Sequence, residues 1–147
     1  MTQYEFTIIN EGKRNKVYKC TAGKRSIGIG HNIDAKGLPD DIEAFLEDNG
    51  YITNEMINIL FEQDIEDAMA DCERLYPNFD DLTKSRQIAL TDFLFNVGYG
   101  TASKFKNTNR AIIEERWDDA ADGLLASKYA RQVGKRAKRV AEMLREG

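Results

Sequence analysis

The sequence is short of the residues on which several classes of protein depend. Among its 147 residues are one histidine, two prolines and two cysteines, Cys20 and Cys72. Two distant cysteines make no disulfide framework and, without a Cys-x-x-Cys pair, no metal-ligand cluster, so we expect no metal site. No apolar run approaches the ~18 residues that cross a bilayer, so we expect no stable membrane insertion. The first residues have neither a basic head nor an apolar stretch. We therefore expect no secretory signal, and synthesis and folding in a cytoplasm.

Charged residues are plentiful but unevenly distributed. Hydrophobic residues make up 41% and charged residues 31% of the chain, which is typical of one compact domain or of two small lobes that share a core. The net charge of −4 combines +4 over residues 1–37, −13 over 38–82, +1 over 83–103 and +4 over 104–147. Solvated helix faces are one explanation of this charge pattern. The alternative is that both basic ends of the chain bind a polyanion such as the cell wall or a nucleic acid. Because no nucleic-acid motif accompanies the charge, we expect no nucleic-acid partner.

The first part of the chain mixes helix and strand patterns. Residues Tyr4 to Asn10 predict a short helix that Gly12 ends, because glycine accepts the left-handed conformation that follows a helix. From Val17 to Ile33 the pattern changes: Thr21-Ala22-Gly23 is typical of a turn, and residues 26–31 alternate with period two. We therefore predict a small antiparallel sheet in this segment.

After Asp40 the pattern is helical. A helix from Asp40 to Asn49 ends before Gly50, and Thr53 is a suitable N-cap for a long amphipathic helix. The next helix, from residue 83 or 84 to Val97, is apolar nearly all round and should be the buried central helix. Shorter helices are predicted near residues 107–115, 117–125 and 134–145.

These elements predict an α+β fold. Its parts are an N-terminal lobe over about residues 12–52 that carries the sheet, a connecting helix over about 53–73, and a helical C-terminal lobe over about 74–147. Residues 1–11 are expected to pack on the C-terminal lobe.

Glu11 occupies an unusual position for an acid. It stands where the first predicted helix ends, and the negative end of the helix dipole disfavours an ionised carboxylate there by roughly 0.3–1 kcal/mol. General-acid cleavage of a glycosidic bond needs a carboxyl group that still carries its proton. Position alone also fits a surface glutamate paired with Lys13 or Arg14, since the chain has 25 acids.

Three short segments say more together than each does alone. They are Asn10-Glu11-Gly12, Tyr18-Lys19-Cys20 and Ser26-Ile27-Gly28-Ile29-Gly30-His31. Their spacing resembles the motif of the T-even-phage lysozyme family of endolysins, which is Glu, eight residues, Asp or Cys, five residues, Thr, and then Gly-Ile-Gly-His. The resemblance continues in order along nearly the whole chain, through Gly50–Thr53, Phe61–Asp64, Phe95–Gly98, Arg116–Asp118 and Arg136–Val140.

The resemblance implies a lysozyme-like fold whose two lobes enclose the glycan in a cleft, and it implies no cofactor. It also implies hydrolysis of the β-1,4 bond from N-acetylmuramic acid to N-acetylglucosamine in bacterial peptidoglycan. By position, Glu11 becomes the general acid, Cys20 the residue on the opposite side of the sugar, and Ser26 the hydroxyl that orients water. The implied substrate-binding residues are Asn32, Phe95 and Thr108.

Other implications of the resemblance concern structure and context. Arg136 should be the charge partner of Glu11, and His31 should pair with Asp64 on the long helix as a structural tie. The family's layout separates Cys20 from Cys72, so we expect no disulfide. The resemblance also leads us to expect a monomer that lyses the host cell. The protein would be made in the host cytoplasm, and a holin-type membrane permeabiliser would release it to the cell wall in the periplasm.

The sequence departs from the family pattern in two places. Ser26 replaces the usual threonine, which keeps the hydroxyl but removes a methyl group that helps to fix its rotamer. Cys20 stands where many members have Asp, and a thiol is a poorer base for water but, when ionised, a good nucleophile. An inverting route through activated water is our preferred hypothesis, and a covalent thioglycosyl route is the alternative.

Three other functions compete with this one. A Cys20–His31 pair would make the chain a cell-wall amidase or endopeptidase. A non-catalytic glycan-binding virion protein would keep the fold without the chemistry. A nucleic-acid binder would use the basic segment from Lys135 to Arg139, although no aromatic stacking platform accompanies it.

Overall fold

The structure is a computed structural model, which describes residues 1–20 and 23–147. The chain forms two compact units, of which the first comprises residues 3–66 with Met1 and the second residues 67–147 with Thr2. Helices and one small antiparallel sheet give the predicted α+β class. The predicted limits of the lobes and the packing of residues 1–11 stay predictions.

The first unit begins with helix α1, Gln3–Glu11. The helix is one residue longer at each end than predicted, and Gly12 ends it as predicted: Gly12 has a φ of 74° and donates its backbone N–H to the Ile8 carbonyl at 2.7 Å. The Tyr4 ring of α1 meets the Phe61 ring edge-on, with 5.4 Å between the ring centroids. Glu11 is therefore the last residue of a helix that is anchored near its start.

The sheet of the first unit has three antiparallel strands in the order β1, β2, β3, which are Arg14–Lys19, Arg25–Gly28 and His31–Asn32. The period-two run over residues 26–31 is therefore not one strand, because Ile29 and Gly30 form a two-residue turn inside it. Gly30 has a φ of 65°, which suits glycine at such a turn. In the predicted turn at 21–23, Thr21 and Ala22 lie outside the described residues.

Three helices follow the sheet: α2, Ile33–Lys36; α3, Asp40–Asn49; and α4, Asn54–Leu75. The bounds of α3 are the predicted ones, and the Thr53 hydroxyl caps α4 by accepting the Met56 N–H at 3.1 Å. The four-residue α2 was not predicted. The core of the first unit consists of apolar side chains from the sheet, the loops, α3 and α4, among them Ile27, Ile29, Ile42, Ile52 and Ile57.

The second unit contains the end of α4, a 3₁₀ turn at Phe79–Asp81, and five further helices. These are α5, Lys84–Ala102; α6, Lys106–Ile113; α7, Trp117–Leu125; α8, Lys128–Val133; and α9, Lys135–Glu146. Residues 88–94 of α5 are all buried, so the prediction of a buried helix is confirmed. The prediction ended α5 at Val97; the structure continues it, with a break at Gly98, whose φ is 81° and ψ 162°. Helix α8 was not predicted.

Asp92 is an acid in the middle of the apolar α5. Its side chain is fully buried and accepts two hydrogen bonds from the Arg136 guanidinium of α9, at 2.9 and 3.0 Å. A buried carboxylate needs such a partner, because the removal of an unpaired charge from water costs roughly several kcal/mol. The ion pair ties α9 to α5 within the second unit.

Among residues 1–20 and 23–147, no helix is both long enough and apolar enough to cross a membrane.

Candidate active site

The end of α1 brings Glu11 to the turn between β2 and β3. A Cβ atom built on Gly30 would lie 2.7 Å from Cδ of Glu11 and 3.0 Å from Cγ, and it would overlap Oε2. The carboxyl group is therefore seated directly against the turn backbone. This approach needs a residue without a side chain at position 30.

The strand register places three polar residues in one row across the sheet. Tyr18 of β1 is the Cα partner of Ser26 of β2, and Ser26 is the Cα partner of Asn32 of β3. Directly paired residues of antiparallel strands present their side chains to the same face. Ser26 is only 3% exposed, whereas Tyr18 and Asn32 are half-buried. Two residues for which the sequence implied a role, Ser26 and Asn32, thus share a face with Tyr18.

Tyr18 belongs to this site although the sequence alone assigns it no role. Burial raises the pKa of Tyr18, and the charges of Glu11 and Cys20 raise it further, while Arg14 and a hydrogen bond from the backbone of Gly30 lower it. The Arg14 guanidinium lies over the ring, 4.6 Å from its centroid. The phenol therefore stays protonated and lies within electrostatic reach of both Glu11 and Cys20.

Cys20 directly follows the last residue of β1 and is a half-buried free thiol. Its backbone N–H donates to the Lys24 carbonyl at 2.9 Å, and its carbonyl accepts the Gly23 N–H at 2.8 Å. These hydrogen bonds hold Cys20 at the start of the loop that connects β1 to β2. Cys72 is a buried free thiol, and within the described part of the chain no group of histidine, cysteine and acidic residues could hold a metal ion.

His31 and Asp64 form a buried pair on the other face of the sheet. Nδ1 of His31 lies 2.7 Å from Oδ2 of Asp64, and Nε2 lies 2.7 Å from the Gly37 carbonyl. Both partners are acceptors, so both ring nitrogens donate and the imidazolium form fits best. Burial lowers the pKa of His31, but these hydrogen bonds raise it more, and the pKa lies above the ordinary 6.5. The pair that the resemblance implied joins β3 to α4.

The second unit holds the other residues to which the resemblance gave a role. Phe95 is half-buried on α5, and Arg136 pairs with Asp92; its pairing with Glu11 stays a prediction. Thr108, 6% exposed, lines a pocket of about 290 Å³. A Cβ atom at Gly123 would overlap the Thr108 hydroxyl, so glycine keeps that hydroxyl uncovered. The pocket is polar and is lined by Asn107, Thr108, Arg110, Arg116, Asp119 and Gly123.

Chemically, the first unit combines a carboxyl group that can transfer a proton with a hydroxyl and a thiol that can hold water. Glu11 is the acid, and Ser26 and Cys20 supply the other two groups. Tyr18 connects them, because it pairs with Ser26 and responds to the charges of Glu11 and Cys20. The roles of these residues stay predictions.

The contact between Glu11 and Gly30 gives a first testable prediction. Gly30→Ala is expected to displace the carboxyl group and to lower kcat by about 10²-fold, as a shift of about 1 Å can do. Gly28→Ala is the matched control: its φ of 67° imposes the same backbone strain, of roughly 1–2 kcal/mol, but its Cβ meets only Ile57, at 3.4 Å. Equal losses of kcat in the two variants would mean that strain alone, and not the position of Glu11, explains the effect.

Comparison with known proteins identifies relatives of the chain. A family model described as phage lysozyme matches residues 9–144. Probable T4-type lysozyme 2 of Dictyostelium discoideum is 30% identical, over 94% of this chain and 90% of that protein. Probable T4-type lysozyme 1 of the same organism is 26% identical over the same shares. The pre-baseplate central spike protein Gp5 of Enterobacteria phage T4 is 31% identical over all of this chain, which spans only 28% of that protein.

Proposed function

Because the chain belongs to the phage lysozyme family and is a glycoside hydrolase of the lysozyme type, we propose that it cleaves the β-1,4 bond from N-acetylmuramic acid to N-acetylglucosamine. The substrate is the glycan strand of bacterial peptidoglycan, and the biological role is lysis of a host cell. One observation carries the proposal. The Glu11 carboxyl group is held against Gly30, beside the sheet face that bears Ser26 and Tyr18.

Glu11 acts as the general acid in the proposed reaction. Its proton passes to the oxygen between the two sugars as the glycosidic bond breaks, and charge develops at the anomeric carbon. The seat against Gly30 fixes the carboxyl group relative to the strands, and such fixed geometry supplies much of the rate in reactions of this kind.

Ser26 and Cys20 hold the attacking water on the opposite side of the sugar. The water oxygen forms its bond to the anomeric carbon on the face opposite the leaving group, as the glycosidic bond breaks. The proton that this water loses passes to solvent, and solvent returns a proton to Glu11. Tyr18, protonated and next to Ser26, limits the space in which that water can lie. This route inverts the anomeric configuration, and NMR of the first product is expected to show the α anomer. A β anomer formed first would instead indicate a covalent intermediate on Cys20.

The proposed context is the end of an infection cycle. The enzyme is made in the host cytoplasm, reaches the wall in the periplasm when a holin-type protein permeabilises the membrane, and works as a monomer without a cofactor.

The main competing activity, a Cys–His amidase or endopeptidase, is disfavoured by the geometry of His31. Both nitrogens of its ring are engaged, one by Asp64 and the other by the Gly37 carbonyl. The ring lies on the sheet face opposite to the row of Tyr18, Ser26 and Asn32, because consecutive strand residues point to opposite faces. His31 therefore has no free nitrogen with which to take a proton from a thiol.

Product analysis tests the proposed function directly. Digestion of purified peptidoglycan by the wild-type protein is expected to release new reducing ends, which borohydride reduction and chromatography of the fragments identify as N-acetylmuramic acid. A glucosaminidase would instead leave reducing N-acetylglucosamine. New free amines without reducing ends would mean that the enzyme cuts the peptide, and the proposal would then be abandoned.

A further inference from the structure

The last two helices carry a concentration of positive charge. Residues 126–147 hold seven Lys/Arg and two Asp/Glu, a net charge of +5 in a chain whose total is −4. Five of these bases are solvent-exposed. One of them, Arg145, pairs with acids of α7, and the other four are Lys128 and Arg131 on α8, and Lys135 and Lys138 on α9. Each pair is spaced three residues apart, which places its two members on the same side of a helix, and α8 packs against α9. These four side chains are here called the cationic surface.

The acids of the neighbouring helix α7 are already engaged elsewhere. Arg145 pairs with Asp118 at 3.4 Å and with Asp122, and Arg116 pairs with Asp119 at 2.6 Å. Within residues 1–20 and 23–147, none of the four bases of the cationic surface makes an ion pair. Their charge is therefore not neutralised by the second unit itself.

The placement of these bases does not stabilise the helices. Lys128 and Lys135 are the first residues of α8 and α9, and the first turn of α9 contains no acid. A cation is unfavourable at a helix N-terminus, because the helix dipole is positive there. Arg136, in the same turn, forms the buried ion pair with Asp92. The four bases of the cationic surface form no comparable stabilising contact within the described residues.

We propose that the cationic surface of the second unit docks the enzyme on the carboxylates of the peptide stems of peptidoglycan. This inference rests on the proposed function, since it takes peptidoglycan as the polymer. A protein with a net charge of −4 is repelled by an anionic wall unless it presents a positive face. The four bases of the cationic surface supply that face and raise the rate of encounter.

Two other polyanions fit the surface less well. A membrane-binding helix needs an exposed apolar face, but Ala137, Val140, Ala141 and Leu144 of α9 are fully buried in the second unit. A single-stranded nucleic acid needs aromatic side chains on which bases stack, and the one aromatic residue of α8, Tyr129, is buried. Carboxylates presented along a polymer require only accessible cations.

The test measures binding separately from hydrolysis. Purified sacculi are first treated with hydrofluoric acid, which removes phosphate-linked polymers. Sedimentation then measures how much protein binds to them. All proteins in this assay carry Glu11→Gln, so that they do not digest the sacculi. A fourfold variant replaces each base of the cationic surface by Gln, which is a good helix former and suits these exposed positions. The variant carries Lys128→Gln, Arg131→Gln, Lys135→Gln and Lys138→Gln. It is expected to bind sacculi about 10-fold or more weakly in low salt. The difference should largely disappear at 1 M salt, where the Debye length is about 3 Å.

Two controls make the result specific. Lys135→Gln/Lys138→Gln should weaken binding, whereas Lys84→Gln/Lys104→Gln, which removes the same charge from exposed sites elsewhere in the second unit, should not. Sacculi whose carboxyl groups have been amidated with carbodiimide should bind the parent and the fourfold variant equally weakly. Equal loss of binding in the two double variants, or undiminished binding to amidated sacculi, would overturn the proposal. So would a fourfold variant that loses affinity for duplex DNA or anionic vesicles but not for sacculi.

Activity distinguishes this inference from the proposed function. With Glu11 intact, the fourfold variant is expected to release reducing ends from peptide-free glycan strands at the wild-type rate and from intact sacculi more slowly. If neither protein released reducing ends, the proposed function would fail. If both did so at equal rates on both substrates, only the docking proposal would fail.

Discussion

Replacing Glu11 by glutamine is expected to lower kcat for peptidoglycan hydrolysis by about 10²–10⁴-fold, the usual contribution of a general acid. Glutamine has nearly the same shape as glutamic acid, so it fits beside Gly30, but it has no carboxyl proton to transfer. KM should change little, because the substrate contacts remain. The release of reducing ends measures the rate, and a thermal melt shows that the variant is folded.

Glu5→Gln is the matched control for this prediction. It makes the same substitution in the same helix, six residues before Glu11 and on an exposed position, and activity should stay close to that of the wild type. If Glu11→Gln cleared suspensions of peptidoglycan as fast as the wild type, the general-acid role would be lost. A non-catalytic glycan-binding protein would then be the better description.

The second large effect is expected on stability. Asp64→Asn should lower the free energy of unfolding by about 3 kcal/mol, the lower end of the range for breaking a buried ion pair. Asp64 accepts hydrogen bonds from His31 at 2.7 Å and from Lys36 at 2.9 Å, and the side chains of His31 and Asp64 are only 6% exposed. The amide cannot balance the charge of either donor. Urea denaturation at several pH values measures the loss.

The loss should depend on pH in a defined direction. The pKa of His31 in the folded protein lies above its ordinary value of 6.5. A group whose pKa rises on folding contributes all of its stabilisation below the pKa of the unfolded chain and loses it as the pH rises through the higher, folded value. The difference between wild type and Asp64→Asn should therefore be largest below pH ~6.5 and should decrease in alkaline solution.

Asp34→Asn provides the control for this experiment. Asp34 pairs with Arg25 at 2.8 Å, but both side chains are accessible to solvent, and screened surface pairs contribute little. Only a small change is expected. If the two variants lost equal stability, or if the loss in Asp64→Asn grew with rising pH, the buried imidazolium would not be the source of the effect.

The parts of the fold that the sequence predicts are those with local physical causes. Gly12 and Gly50 end helices because each adopts a positive φ, and Thr53 begins one because its hydroxyl accepts a backbone N–H. The turn at Ile29-Gly30 escaped prediction, because period-two alternation is the same for one long strand and for two strands joined by two residues. Helices α2 and α8 are too short for a helical period to be recognised.

The site was only partly predictable, for a different reason. Glu11 is one of 25 acids, and its spacing to Cys20 and Ser26 identified it only through a family resemblance. Tyr18 was missed because a tyrosine in a strand is ordinary, and its relation to Ser26 depends on a register that includes an irregularity in β1. Asp92 did leave a signal: an acid inside an otherwise apolar helix indicates a buried partner, which is Arg136.

The two-residue turn at Ile29-Gly30 also restricts how this enzyme can diverge. It determines which side chain of β3 joins the row with Ser26 and which one reaches Asp64. One inserted or deleted residue would move β3 by a single position and exchange Asn32 with His31 between the two faces of the sheet. Such a shift of register would remove Asn32 from the row with Ser26 and separate His31 from Asp64 in one step. The length of this turn therefore matters to the site and to the core as much as its composition does.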